Sequence, residues 1–184
     1  MGVGKRGNSP RPTGGNKMYE IKGIKTLSVR DGVALTANLY REGRIVASVE
    51  DRGDGGCMWI HWNENSGLES ALLVDWFDKS KADHWTTDFK DSEFSDKCEL
   101  AIEWLIEIAQ NNKSAKKNIL IRVAVEPFPD GMRRFENYQM KNVTLSNRDA
   151  LQSVVNQFVS AEVWDITSQS FVYAKDLLKK KVVA

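Results

Sequence analysis

A chain of 184 residues, 41% hydrophobic and 28% charged, has the make-up of a globular domain with a real core, and its two cysteines, Cys57 and Cys98, exclude a disulfide scaffold and a multi-cysteine zinc finger. That cysteine usage points to reducing, cytoplasmic surroundings. No apolar run approaches the roughly 20 residues that cross a bilayer, the N-terminal stretch lacks the apolar core of a secretion signal, and Arg6 stands where myristoylation wants Ser or Thr.

Residues 1–17 combine glycine, proline and the bases Lys5, Arg6, Arg11 and Lys17 with almost no aliphatic side chain. They bury too little apolar area to offset the entropy of ordering, so a flexible basic tail is expected, followed by a single α+β domain over 18–184. From Tyr19 the pattern alternates through Ile21, Leu27 and Val29, with a break at Gly23 that suits a bulge. Asp31-Gly32 predicts a type I′ hairpin turn. Val33, Leu35, Ala37 and Leu39 share one face of the next strand, Glu42-Gly43 closes a second turn, and Ile45, Ala47 and Val49 answer on the returning strand. After the glycine turn at Arg52 to Gly56, the run CMWIHW predicts a fourth strand, with Cys57, Trp59 and His61 on one face and Met58, Ile60 and Trp62 on the other.

Ser66 is the expected cap of a helix carrying Leu68, Leu72, Leu73, Trp76 and Phe77, and Ser95 or Asp96 that of a second, broadly apolar helix around Cys98, Ala101, Ile102 and Leu105. Phe89 to Ser95 reads as the linker between them. Ile119, Ile121, Val123 and Val125 alternate as an inner strand that Pro127 stops, and a loop is expected through Phe135. Ser146 or Asn147 caps a third helix bearing Leu151, Val154, Val155, Phe158 and Val159. A closing strand pair at EVWDI and SFVYA, then a frayed helical end, complete the chain. The order predicts a mainly antiparallel sheet, an N-terminal meander plus later strands, with about three helices packed on one face.

The net charge of +1 hides blocks: Met1 to Met18 has four bases and no acid, Glu64 to Glu107 has twelve acids against four lysines, and Ile108 to Arg148 has eight bases against three acids. Such asymmetry bears on partners rather than fold. The acidic block, with Asp75, Asp78, Asp83 and Asp88 flanked by Trp62 and Trp85, suits a basic groove on another protein; its plain alternative is a solvated face. The bases Lys5, Arg6, Arg11, Lys17, Arg133 and Arg134, near Phe128, Phe135 and Tyr138, suit nucleic acid through charge and stacking, without any recognised binding motif.

Chemistry is less well signposted. Gly53, Gly55 and Gly56 match neither a phosphate-cradling loop nor a dinucleotide fingerprint, which makes them a structural turn. Cys57 and His61 lie four residues apart on one strand face, about 13 Å at strand rise, too far for a thiol and its base. No catalytic or metal-binding residue and no cofactor is assigned. A metal-assisted hydrolase built on His61 or His84 with nearby acids is the enzymatic alternative.

The segment Leu35 to Gly56 resembles small uncharacterised proteins of bacteriophage and prophage genomes, which share an aliphatic strand ending in Leu-Tyr, a glycine turn, a second strand, and an acid leading into Gly-x-Gly-Gly. Here these are Leu39-Tyr40, Gly43, Asp51 and Gly53-Asp54-Gly55-Gly56, with Arg52 where an acid or amide is usual. The resemblance implies a viral accessory protein acting on a host macromolecule. Together with the acidic block it leads to the expectation of a cytoplasmic protein that binds a host protein, with nucleic acid as the second partner class and no membrane partner.

Overall fold

The structure, a computed structural model, describes residues 18–80, 94–126, 134–158 and 160–179. The tail expected over 1–17 and all of the expected linker before Phe94 lie outside them. The elements in chain order are β1 (Tyr19–Val29), β2 (Gly32–Arg41), β3 (Arg44–Asp51), β4 (Trp59–Trp62), α1 (Ser66–Lys79), α2 (Phe94–Ala115), β5 (Ile119–Val125), β6 (Arg134–Met140), α3 (Arg148–Gln157), β7 (Glu162–Asp165), β8 (Ser170–Tyr173) and α4 (Ala174–Lys179). This is an α+β fold whose strands form two four-stranded antiparallel sheets, ordered β1-β2-β3-β4 and β6-β5-β7-β8. The chain divides into two compact units, one ending at Cys98 and the other beginning at Glu99.

The first unit is the predicted meander, with two corrections in its turns. The β1–β2 hairpin closes on Arg30-Asp31, since Val29 pairs with Gly32, and neither Asp31 nor Gly32 has positive φ. The type I′ geometry sits instead at the second turn, where Glu42 and Gly43 have φ of 50° and 83° between paired Arg41 and Arg44. Gly32 serves another purpose. A Cβ there would lie 2.5 Å from the carbonyl oxygen of Gly53, and a Cβ on Gly53 would lie 2.5 Å from the carbonyl carbon of Val33. The glycine turn therefore folds directly onto the backbone that opens β2, a contact that admits no side chain at either glycine.

Two bulges decide which side chains face the core. At the first, Gly23 and Ile24 together oppose Ala37, because Lys22 pairs with Asn38 and Lys25 with Thr36. One extra residue reverses the facing of everything beyond it. Tyr19 and Ile21 are buried, whereas Leu27 and Val29, expected in the same row, point to the opposite face and are exposed. A second shift between Leu39 and Tyr40 pairs Leu39 with Ala47 but Tyr40 with Ile45, which turns Ile45 outward as well.

The buried face of this sheet carries Tyr19, Ile21, Ala37, Leu39, Ala47 and Val49. Full burial of a side chain such as Leu39 contributes about 1.5–3 kcal/mol. α1 covers this face, the Trp76 ring lying 5.2 Å from that of Tyr19. Its cap is Asn65, whose side chain accepts from the Leu68 amide, and Ser66 is already helical. Leu73, Val74 and Phe77 point inward with Glu69, while Leu68 is exposed. The first turn of α2 closes the unit: Cys98 is buried, as expected of a core thiol, its Sγ 3.9 Å from the Ser70 carbonyl.

In the second unit β5 is central. Ile119, Ile121 and Val163 pack on one side with Leu151 and Val154 of α3 and Ala174 of α4. On the other side Ile108 and Ala115 of α2 meet Trp164, with Leu120 and Phe171 against them. Trp164 satisfies its indole N–H by donating to Asn112 at 2.9 Å, which a buried indole needs. Arg122 pairs with Glu162 at 2.5 Å and lies 4.5 and 4.3 Å from the ring centroids of Phe135 and Phe171. Asn147 caps α3 as expected, accepting from Ala150 at 3.0 Å, and β7 and β8 form the anticipated closing pair. β6 occupies ground read in part as loop.

Candidate functional site

The face of the first sheet opposite α1 is built of two complete cross-strand rungs. Lys22, Asn38, Ser48 and His61 are successive partners in one, and Lys25, Thr36, Glu50 and Trp59 in the next. Directly opposed side chains on a sheet stand about 4.5–5.5 Å apart, so each rung forms a continuous line of functional groups. Three of the four middle positions carry short side chains, Thr36, Asn38 and Ser48, the fourth carries Glu50, and the flanks carry longer ones. The result is a hollow of about 330 Å³ lined by Lys25, Thr36, Asn38, Ser48, Glu50 and His61. Gly23 borders it: with φ of 68° it makes the bulge, and a Cβ there would stand 3.4 Å from the Asn38 amide nitrogen.

Trp59 forms the rim and is 46% exposed. The Arg52 guanidinium lies over its ring at 3.9 Å and 3.7 Å from the Glu50 carboxylate, and the His61 ring meets the indole edge-on at 6.2 Å. Lys22 sits 4.7 Å above the Tyr40 ring and 2.6 Å from Glu20. Lys25 makes no ion pair among the described residues. The hollow thus offers hydroxyl, amide, carboxylate, ammonium and imidazole groups on a rigid antiparallel frame. Among the described residues no three histidine, cysteine, aspartate or glutamate side chains are grouped to hold a metal ion. His61 shares its hollow with one carboxylate, Glu50, and Cys57 is exposed ahead of β4.

Of the acidic set, Asp75 pairs with Lys79 at 2.6 Å and Asp78 with Lys97 at 3.5 Å, so each described aspartate is matched by a lysine. Asp83, Asp88, Trp85 and His84 lie outside the described residues. Trp62 is half-buried and opposes Ala47 on the helix-covered face of the sheet. Among the bases, Lys5, Arg6, Arg11, Lys17 and Arg133 lie outside the described residues, as does Phe128. Arg134 opens β6 opposite Val125, and Tyr138 stacks on Phe158 at 5.1 Å. The Tyr138 hydroxyl donates to Glu136, which raises its pKa above the usual phenol value.

Sequence reasoning missed Trp59 as the exposed indole of β4. The signal lay in the alternation of that strand: Met58, Ile60 and Trp62 form its apolar side, so Trp59 and His61 belong to solvent. It also missed the buried polar group behind the sheet. Arg41 reaches Glu69 at 2.9 Å, and Tyr19, 3% exposed, stands beside them. Burial first, and then the Glu69 carboxylate, push the Tyr19 phenol up to about 12, against the opposing pull of Arg41. No described helix is long and apolar enough to cross a membrane. Compared with known proteins, the chain matches no protein family, no curated sequence and no solved structure.

Proposed function

We propose that this chain is a binding protein that engages a host macromolecule through the uncovered face of its first sheet. The observation that supports this is the pair of unbroken rungs around a polar hollow with a half-exposed tryptophan at its rim. Tryptophan concentrates at recognition surfaces because it offers a large flat apolar area at low entropic cost. The likeness of residues 35–56 to phage and prophage proteins supports a host component as the partner. That stretch supplies Thr36, Asn38, Ser48, Glu50 and Arg52, the central part of the face.

The test compares immobilised full-length protein with two sets of variants in capture from bacterial lysate at low and high salt. Trp59→Ser should lose the captured component and Glu50→Gln should weaken its capture, while their melting temperatures stay near that of the parent. Asp75→Asn with Asp78→Asn should keep it. Retained capture by the sheet variants together with loss in the acidic variants would move the contact surface to α1 and overturn the proposal.

A further inference from the structure

The chemistry of the hollow narrows what it holds. Resting on the sheet face being the contact surface, we infer that the occupant is a neutral saccharide, a short stretch of a glycan chain laid across Thr36, Asn38 and Ser48 against Trp59. Each of those three polar side chains both donates and accepts hydrogen bonds. Sugar hydroxyls have the same dual character, so a run of them is matched by a run of dual partners, whereas a phosphodiester only accepts and an ammonium only donates.

Charge supports the same choice. Glu50, with Arg52 3.7 Å from its carboxylate, and Lys25 line the hollow with opposite charges, so neither an anion nor a cation is complemented by both. A neutral polyol satisfies both, giving hydroxyl protons to Glu50 and lone pairs to Lys25, as charge-assisted hydrogen bonds. The lining lacks the mostly apolar character of pockets for hydrophobic ligands. The large apolar surface nearest to it is Trp59, which stands outside the lining as the cross-strand partner of Glu50, in the same rung as Lys25 and Thr36. A flat indole suits the C–H face of a sugar ring; the Arg52 guanidinium already covers one face at 3.9 Å and helps to fix the ring's orientation, so the sugar takes the other face. The volume of about 330 Å³ falls at the small end of ligand sites, in keeping with a short segment of a longer chain.

The experiment is a titration of ¹⁵N-labelled full-length protein with three neutral oligosaccharides (a β-glucan, an α-glucan and an N-acetylglucosamine oligomer) and, separately, an oligothymidylate, followed by amide and indole shifts. At least one saccharide should move the signals of Thr36, Ser48, His61 and the Trp59 indole at concentrations up to about 10 mM. Asn38→Ala with Ser48→Ala, and separately Trp59→Ala, should each weaken that binding about tenfold or more with the remaining spectrum unchanged. Glu50→Gln keeps the shape and should weaken it less.

Saccharides that leave these signals in place overturn the inference. If the oligothymidylate moves them instead, the occupant is nucleic acid. If neither does, while Trp59→Ser still abolishes capture from lysate, the sheet face stands as a protein-binding surface and the saccharide alone is refuted. Capture that survives Trp59→Ser refutes the face as well.

Discussion

Alanine placed in turn at Gly55, Gly32 and Gly53 separates two costs that the glycine turn combines. Gly55 has φ of 79° with nothing within 4 Å of an added Cβ, so Gly55→Ala carries only the left-handed backbone penalty, about 1–2 kcal/mol. Gly32 has ordinary φ, but its Cβ would meet the Gly53 carbonyl oxygen at 2.5 Å. Gly32→Ala therefore carries only the clash, about 1–3 kcal/mol on the scale of overpacked cores. Gly53 has both: φ of 70° and backbone atoms of Val33 and Ala34 at 2.5 to 2.8 Å, none of them the movable end of a side chain. Gly53→Ala should cost the most, about 3–4 kcal/mol. Because Gly32 and Gly53 share one contact, the double variant should cost clearly less than the two losses added together. Urea denaturation at constant slope measures all four. Equal midpoints for Gly53→Ala and Gly55→Ala would show that the turn does not press on β2, and the contact would be refuted.

The Tyr19 phenol gives a pH prediction. With its folded pKa raised from 10.0 to about 12, the unfolded chain ionises first, so the stability tied to the neutral phenol is full below pH 10 and is lost between 10 and 12. The ceiling is about 3 kcal/mol at 1.36 per unit. Tyr19→Phe should flatten the alkaline fall in melting temperature over that window, and an unchanged profile would refute the assignment. Arg41→Met strips Glu69 of its guanidinium partner behind the sheet and should cost about 2–4 kcal/mol in urea denaturation; adding Glu69→Leu should recover most of the loss, since the uncompensated charge is then gone. Asp75→Asn with Asp78→Asn should change stability by less than about 1 kcal/mol, because both carboxylates are about half exposed to solvent, as calorimetry would show.

Local features were the legible part of the fold. Alternation located the four strands of the meander, β5 and the closing pair, and Asn147 was readable as a cap because its side chain reaches the Ala150 amide. What the pattern did not convey was parity and partnership. Leu27, Val29 and Ile45 belong to regular apolar rows in the sequence, yet each lies beyond an inserted residue and faces outward. β6 reads RFENYQM, with Phe135 and Tyr138 on opposite faces, so no period of two betrays it; pairing with β5 makes it a strand. Strand neighbours are a tertiary property, which is why one expected sheet divides in two. The hollow was illegible for the same reason: Lys25, Thr36, Glu50 and Trp59 are far apart along the chain and meet only through register.

The bulge at Gly23 acts on β1 as a frameshift acts on a gene. Removing one residue there would swap the two faces all the way to the hairpin tip, sending Leu27 and Val29 toward the helix side and Thr26 and Ser28 to the side of the hollow. Lys25 would go with the first group, and the hollow would lose a wall although none of its functional side chains had been replaced.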